Sequence, residues 1–143
     1  VVSNVLVDGR RQKWWLHHVL SPLLLHFPTT LFACNFIGPT ACLCFKKEQM
    51  QLFNPSLCWA VDYEWYYRML RNSCVRYLRT NYIRSHHGHK GQISQTIDIQ
   101  KVRQSDNETL RKMYASHLRI RLFLFIGKAI HKFLLALHRK RTH

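Results

Sequence analysis

The first residues with chemical potential stand together in Ala60-Val61-Asp62-Tyr63-Glu64-Trp65-Tyr66-Tyr67-Arg68-Met69-Leu70. Val61, Trp65 and Met69 recur every four residues, with Tyr66 and Leu70 alongside, so the spacing predicts a helix over 61–70 with an apolar face. Asp62 falls at its start. A carboxylate there favours the helix N-terminus whatever else it does. Glu64, two positions on, points to nearly the opposite side and is expected to be solvated or paired with Arg68 at i+4 rather than to partner Asp62. A second cluster, His86, His87 and His89, invites a metal reading, against which stands an ordinary solvated loop. The five cysteines form an odd set without a CxxC pair, so buried, reduced thiols in a cytosolic compartment are expected rather than zinc.

Around these residues the elements read as mixed. Val5–Val7 forms a short strand entering an Asp8-Gly9 turn, and a short helix covers Trp14–Leu20. Leu31–Phe36 and Thr40–Phe45 read as strands, Lys46–Leu52 as a helical turn or two, and Asn54-Pro55-Ser56 as a turn. Val75–Leu78 and Asn81–Arg84 read as short strands before a polar loop, Ser85–Gln92. A polar helix follows over about 98–114, and a last segment, Leu118–Leu137, carries apolar residues at helical spacing. The class is α/β. No charged residue occurs from Trp14 to Phe45, yet Pro22, Pro28, Gly38 and Pro39 interrupt that run and argue against a spanning helix.

Charge adds a further constraint. The 143 residues hold 22 Lys and Arg against 7 Asp and Glu, a net charge of +15. Such an excess favours polyanions. No acidic residue follows Glu108, whereas nine basic ones do, so the charge is concentrated in the tail. Leu118, Leu122, Phe125, Ile126, Ala129, Ile130, Phe133 and Leu137 among those cations suggest a basic amphipathic helix over 118–141 for an anionic membrane surface. The plainer reading is a domain helix with a solvated basic face.

Several stretches, taken in order, resemble one family. Asn35-Phe36-Ile37-Gly38-Pro39-Thr40-Ala41 precedes an apolar run and Phe45-Lys46-Lys47-Glu48. Phe53-Asn54-Pro55-Ser56-Leu57 leads into the Asp62 helix, and His89-Lys90-Gly91-Gln92-Ile93-Ser94 closes the set. Their order and spacing resemble the acceptor-side half of family-2, GT-A-type glycosyltransferases over roughly residues 30 to 100. The chain then divides into a lead-in strand and helix (1–29), the acceptor-side part (30–115) and the basic tail helix (116–143).

The resemblance implies transfer of a sugar from a nucleotide-sugar donor to a glycan or lipid-linked acceptor, with inversion, in polysaccharide biosynthesis. By it, Asp62 is the general base that takes the acceptor hydroxyl's proton. Trp59 and Tyr63 are acceptor-side residues, Trp59 through stacking of an aromatic face on a sugar ring. His89 and Gln92 fall on the donor and diphosphate side, His89 also as a ligand of a divalent cation, Mg or Mn. The extra His86-His87-Gly88 departs from the pattern and blurs that register. The larger departure is that no Asp-x-Asp occurs anywhere in the chain, nor do the family's leading strand–helix–strand units. With the start at Val1-Val2-Ser3, this suggests a piece of a longer enzyme, inactive alone, placed in the cytoplasm or peripherally on the membrane's cytoplasmic face. The alternative is a small nucleic-acid-binding protein of ribosomal type. Against it, the aromatic residues cluster near Asp62 while the cations gather in the tail, rather than sharing one face.

Overall fold

The computed structural model describes residues 1–7, 10–11, 15–85 and 98–141. They form a mixed α/β arrangement. Strand β1 (Val2–Val7) pairs antiparallel with the two-residue β2 (Arg10–Arg11) and parallel with β3 (Tyr77–Ser85), in the order β2-β1-β3. The Asp8-Gly9 turn lies outside the described residues. The parallel pairing requires a long crossover. That crossover contains α1 (Trp15–Leu24), three 3-10 turns and α2 (Val61–Leu70). After β3 come α3 (Ile99–Met113) and α4 (Leu118–Arg141).

Two expected strands become one. Val75–Leu78 and Asn81–Arg84 merge into β3, and the irregularity between them survives in the pairing. Ser3 faces Leu78 while the next residue, Asn4, already faces Tyr82. The residues between are accommodated as a bulge against β1.

Leu31–Phe36 is not a strand. Pro28 opens a 3-10 helix, Pro28–Phe32, in which Thr30 Oγ1 donates to the Phe27 carbonyl at 2.7 Å. Pro28 fixes the backbone near helical φ, and the turn buries Leu31 and Phe32. Thr40–Phe45 likewise opens with a 3-10 turn, Thr40–Cys42, after Pro39. What remains of the expected strand is one antiparallel bridge, Val2 to Leu43, with Cys44 N donating to the Val1 carbonyl at 2.8 Å. Because β3 occupies the other edge of β1 at Val2, this bridge shares its edge with β2.

Helix α1 continues past the expected end at Leu20 and takes Pro22 into its last turn. A proline there forgoes the hydrogen bond its N–H would make and sets its ring against the carbonyl four residues back, and the helix ends two residues later. Lys46–Leu52 contributes only a 3-10 turn, Lys47–Gln49. All five cysteines are free, as expected, but only Cys42 is buried; Cys34, Cys44, Cys58 and Cys74 are exposed.

The core joins the start of β1 to the 3-10 turn at 28–32, to α2, and to Leu110 and Tyr114 from the third helix and Ile120 and Leu124 from the fourth. Phe32 stands at its centre, edge-on to Tyr63, Tyr67 and Tyr114 with ring centroids 5.1–5.9 Å apart. Such T-shaped contacts favour the quadrupoles of both rings. Helix α4 lies so close to the 28–32 turn that a Cβ at Gly127 would meet the Ala33 carbonyl oxygen at 2.8 Å and Cα at 3.0 Å. Backbone cannot yield as a flexible side chain can. Gly127→Val is therefore expected to push the helix off this turn and to cost about 1–3 kcal/mol in urea unfolding; a variant of unchanged stability would show the approach is not required.

Candidate active site

The site starts from a helix end. Every helix N-terminus leaves N–H groups without intrahelical partners. Helix α2 has Ala60 at its N-cap, and no side chain of its own caps it. Instead Asp106, from the middle of α3, supplies the acceptor. Its Oδ2 accepts from Trp59 N and Ala60 N at 2.7 Å each, and both oxygens accept from Cys58 N at 3.2 Å. Upstream, Asn54 Oδ1 accepts from Ser56 N at 3.0 Å, and its carbonyl accepts from Leu57 N at 3.2 Å. This turn feeds the chain into Asp106's grip.

Asp62 therefore does not make the capping bonds that its position invites. It sits on the first turn of α2, half-buried, and among the described residues no donor reaches its carboxylate. Burial pushes its pKa above the usual aspartate range. One helical turn on, Tyr66 is fully buried and its hydroxyl donates to the Gly38 carbonyl at 3.2 Å. Burial first, and the negative charge of Asp62 second, raise the Tyr66 pKa.

Gly38 adopts φ 95°, a conformation that suits glycine. Asn35 holds that turn, with Oδ1 accepting from Ile37 N and Gly38 N at 3.2 Å and Nδ2 donating to the Gly38 carbonyl at 3.3 Å. The Asn35–Gly38 turn and α2 thus meet through the bond from the Tyr66 hydroxyl to Gly38, one helical turn beyond Asp62.

The remaining site residues separate. Trp59 is half-buried just before the helix, its backbone fixed by Asp106. Tyr63 is half-buried and leans edge-on to Phe32 at 5.9 Å, and its pKa is raised by burial and then by Asp106, with Arg103 opposing. His89 and Gln92 lie outside the described residues. Among the described residues no three His, Cys, Asp or Glu side chains gather as a metal site.

Glu64 is not solvated. It is fully buried, and its Oε1 receives Arg68 Nε at 2.8 Å and the Tyr114 hydroxyl at 2.7 Å, while Oε2 has no partner among the described residues. The expected i+4 pair with Arg68 does form. Arg68 continues outward to the Leu52 carbonyl at 2.8 Å and Gln51 Oε1 at 3.1 Å. Trp65 is core, as its stripe predicts, with Nε1 donating to the Gln51 carbonyl at 2.7 Å. Within 64–70 only Arg68 escapes burial, so α2 is packed almost all round along its length and open at its first turn.

Asp106 is the residue that sequence reading missed. The signal was present: it shares a helix stripe with Arg103, Leu110 and Tyr114, at i−3, i+4 and i+8. An acid on an apolar stripe needs a donor, and the segment leading into α2 provides three, the N–H groups of Cys58, Trp59 and Ala60.

No protein-family model, curated protein or solved structure matches the chain.

Asp106→Ala should leave three N–H groups without their acceptor and cost about 2–4 kcal/mol in urea unfolding, with Asp106→Asn recovering part of it. A cost under about 0.5 kcal/mol would show that water replaces the carboxylate freely. Asp62 gives a prediction of opposite sign. A carboxyl whose folded pKa is raised favours the folded state while protonated, and that benefit is lost as pH rises from the unfolded aspartate value, about 3.9, through the raised folded one. Asp62→Asn should therefore gain stability relative to wild type as pH rises from about 3 to 7. Paired thermal melts across that range check it, and a gap that stays flat or runs the other way contradicts the buried-carboxyl reading.

Proposed function

We propose that this chain forms the acceptor-side portion of a family-2, GT-A-type glycosyltransferase, with Asp62 as the base that takes the proton from the acceptor hydroxyl. The observation that carries this reading is a half-open carboxylate that receives no donor among the described residues, on the first turn of a helix otherwise locked in place. A base must be reachable and not already saturated with hydrogen bonds. It must also be held still, since small displacements of a reacting group cost large factors in rate. Asp106 holds the backbone leading into the helix, Glu64 and Arg68 tie its middle to the 51–52 segment and Tyr114, and Tyr66 ties its face to Gly38.

In this reading the acceptor oxygen forms a bond to the donor's anomeric carbon as its proton passes to Asp62. The bond from that carbon to the nucleotide diphosphate breaks, and the leaving group departs with the electron pair, giving inversion. A partly buried carboxylate with a raised pKa is a better proton acceptor than one fully hydrated. Trp59 lies just before the helix, where its ring can lie against an acceptor sugar.

Among the described residues no group is placed for the chemistry at the diphosphate; His89 and Gln92, expected on that side, lie outside them. With no Asp-x-Asp in the chain and no metal cluster among the described residues, no step is assigned through a cation. Stabilising the departing charge is commonly a leading contribution to rate, so the chain by itself should give no measurable sugar transfer.

The test joins this chain to a donor-binding half that carries Asp-x-Asp and measures transfer to glycan acceptors. Asp62→Asn should lower kcat by about 10²–10⁴-fold with circular dichroism unchanged. A folded Asn variant with wild-type turnover would remove the base role, and sugar transfer by the isolated chain would remove the division of labour.

A further inference from the structure

Helix α4 carries two apolar faces. At about 100° per residue, Ile120, Leu124, Gly127 and His131 fall on one side. That side packs on the core: Ile120 and Leu124 are buried, Gly127 lies against Ala33, and the His131 ring is 3.4 Å from Arg103 Nη1 on α3. Leu118, Leu122 and Phe125 fall on the opposite side, and they are 76%, 54% and 64% exposed. The outward face of a helix packed on a core is ordinarily polar. Here the apolar spacing evident in the sequence turns out to mark the outward stripe.

Charge says what covers it. Arg121, Lys128 and Lys132 run along one flank of the stripe and Arg119 along the other, all exposed. No acidic residue follows Glu108 to offset them. Apolar side chains flanked by cations fit the boundary between lipid headgroups and acyl chains, where Leu and Phe enter the hydrocarbon and Lys and Arg meet anionic headgroups. A second copy of the chain would bring two strongly positive faces together, and a nucleic acid would leave the Leu and Phe side chains without apolar cover. Among the described residues no helix is long and apolar enough to cross a membrane.

We infer that the outward face of this helix, built on Leu118, Leu122 and Phe125 between basic flanks, binds the surface of an anionic membrane. The inference does not depend on the transferase reading, because none of its residues belongs to the Asp62 site.

Cosedimentation of the full chain with vesicles tests it, using phosphatidylcholine alone and phosphatidylcholine mixed with phosphatidylglycerol. Binding is expected to the mixed vesicles only, weakening as salt rises. Leu122→Ser with Phe125→Ser, at positions already exposed and so compatible with folding, should weaken it about tenfold or more with an unchanged thermal midpoint. Arg121→Gln with Lys128→Gln should also weaken it, and should flatten its salt dependence. Equal binding to both vesicle types, or no loss in the Leu122/Phe125 variant, overturns the inference. So does tighter binding to RNA than to vesicles, or a concentration-dependent oligomer that the Leu122/Phe125 variant abolishes.

Discussion

The chain enters α2 through the N–H groups of Cys58, Trp59 and Ala60, and no side chain of the helix itself caps this entry. The carboxylate that accepts from all three comes from a helix 46 to 48 residues further along the chain. One consequence is positional. The segment 58–60, the axis of α2 and the register of α3 are fixed against one another by three charge-assisted hydrogen bonds, each stronger than a neutral one. The core around Phe32 then fills between elements whose relation is already set. Leu110, one turn along from Asp106, joins the core, and Tyr114, two turns along, reaches both Phe32 and Glu64.

A second consequence is chemical. Two aspartates lie at the same helix end, and the structure gives them different surroundings. Asp106 is nearly fully buried and surrounded by donors; Asp62 is half-open and receives none among the described residues. A carboxylate that stabilises a fold and one that accepts a substrate's proton have opposite requirements, since bonds that hold the first would quench the second. In the proposed transferase the two roles are separated, so the helix is anchored without consuming the group on its first turn. The buried Glu64 extends the same arrangement on the opposite side, where Arg68 and Tyr114 supply the donors that burial demands.

The sequence made some of this legible and hid the rest for physical reasons. Helix α2 could be read to its ends because its apolar residues recur at a single period; the polar helix over about 98–114 was also legible, and in the structure Asp98 caps it, accepting from Gln100 N and Lys101 N. Leu31–Phe36 and Thr40–Phe45 could not. Short apolar runs fit strand and turn alike, and Pro28 and Pro39 decide locally in favour of 3-10 turns. The bulge in β3 was foreshadowed by a break in pattern at Arg79-Thr80, but not its pairing. Asp62 was visible as an acid at a helix start, whereas its freedom from capping depends on Asp106, a partner no local pattern could name. Of the two expectations for Glu64, the Arg68 pair was legible from its i+4 spacing and forms, whereas its burial and its bond from Tyr114, fifty residues away, were not.

The last helix shows how one small core rations apolar surface. A helix of 24 residues can present only one face to a body of this size, and Gly127 determines which. Its missing side chain lets the helix backbone settle onto Ala33, and that contact fixes the rotation about the helix axis. Ile120 and Leu124, close to Gly127 on the helical circle, then turn inward. With rotation fixed, Leu118, Leu122 and Phe125 are carried to the far side, where no described element can cover them. Turning the helix over would bury those three but place bulk where the Ala33 backbone admits none. The exposed stripe is thus imposed by the close approach of the helix backbone to Ala33, and the basic residues beside it favour the surface proposed to shelter it.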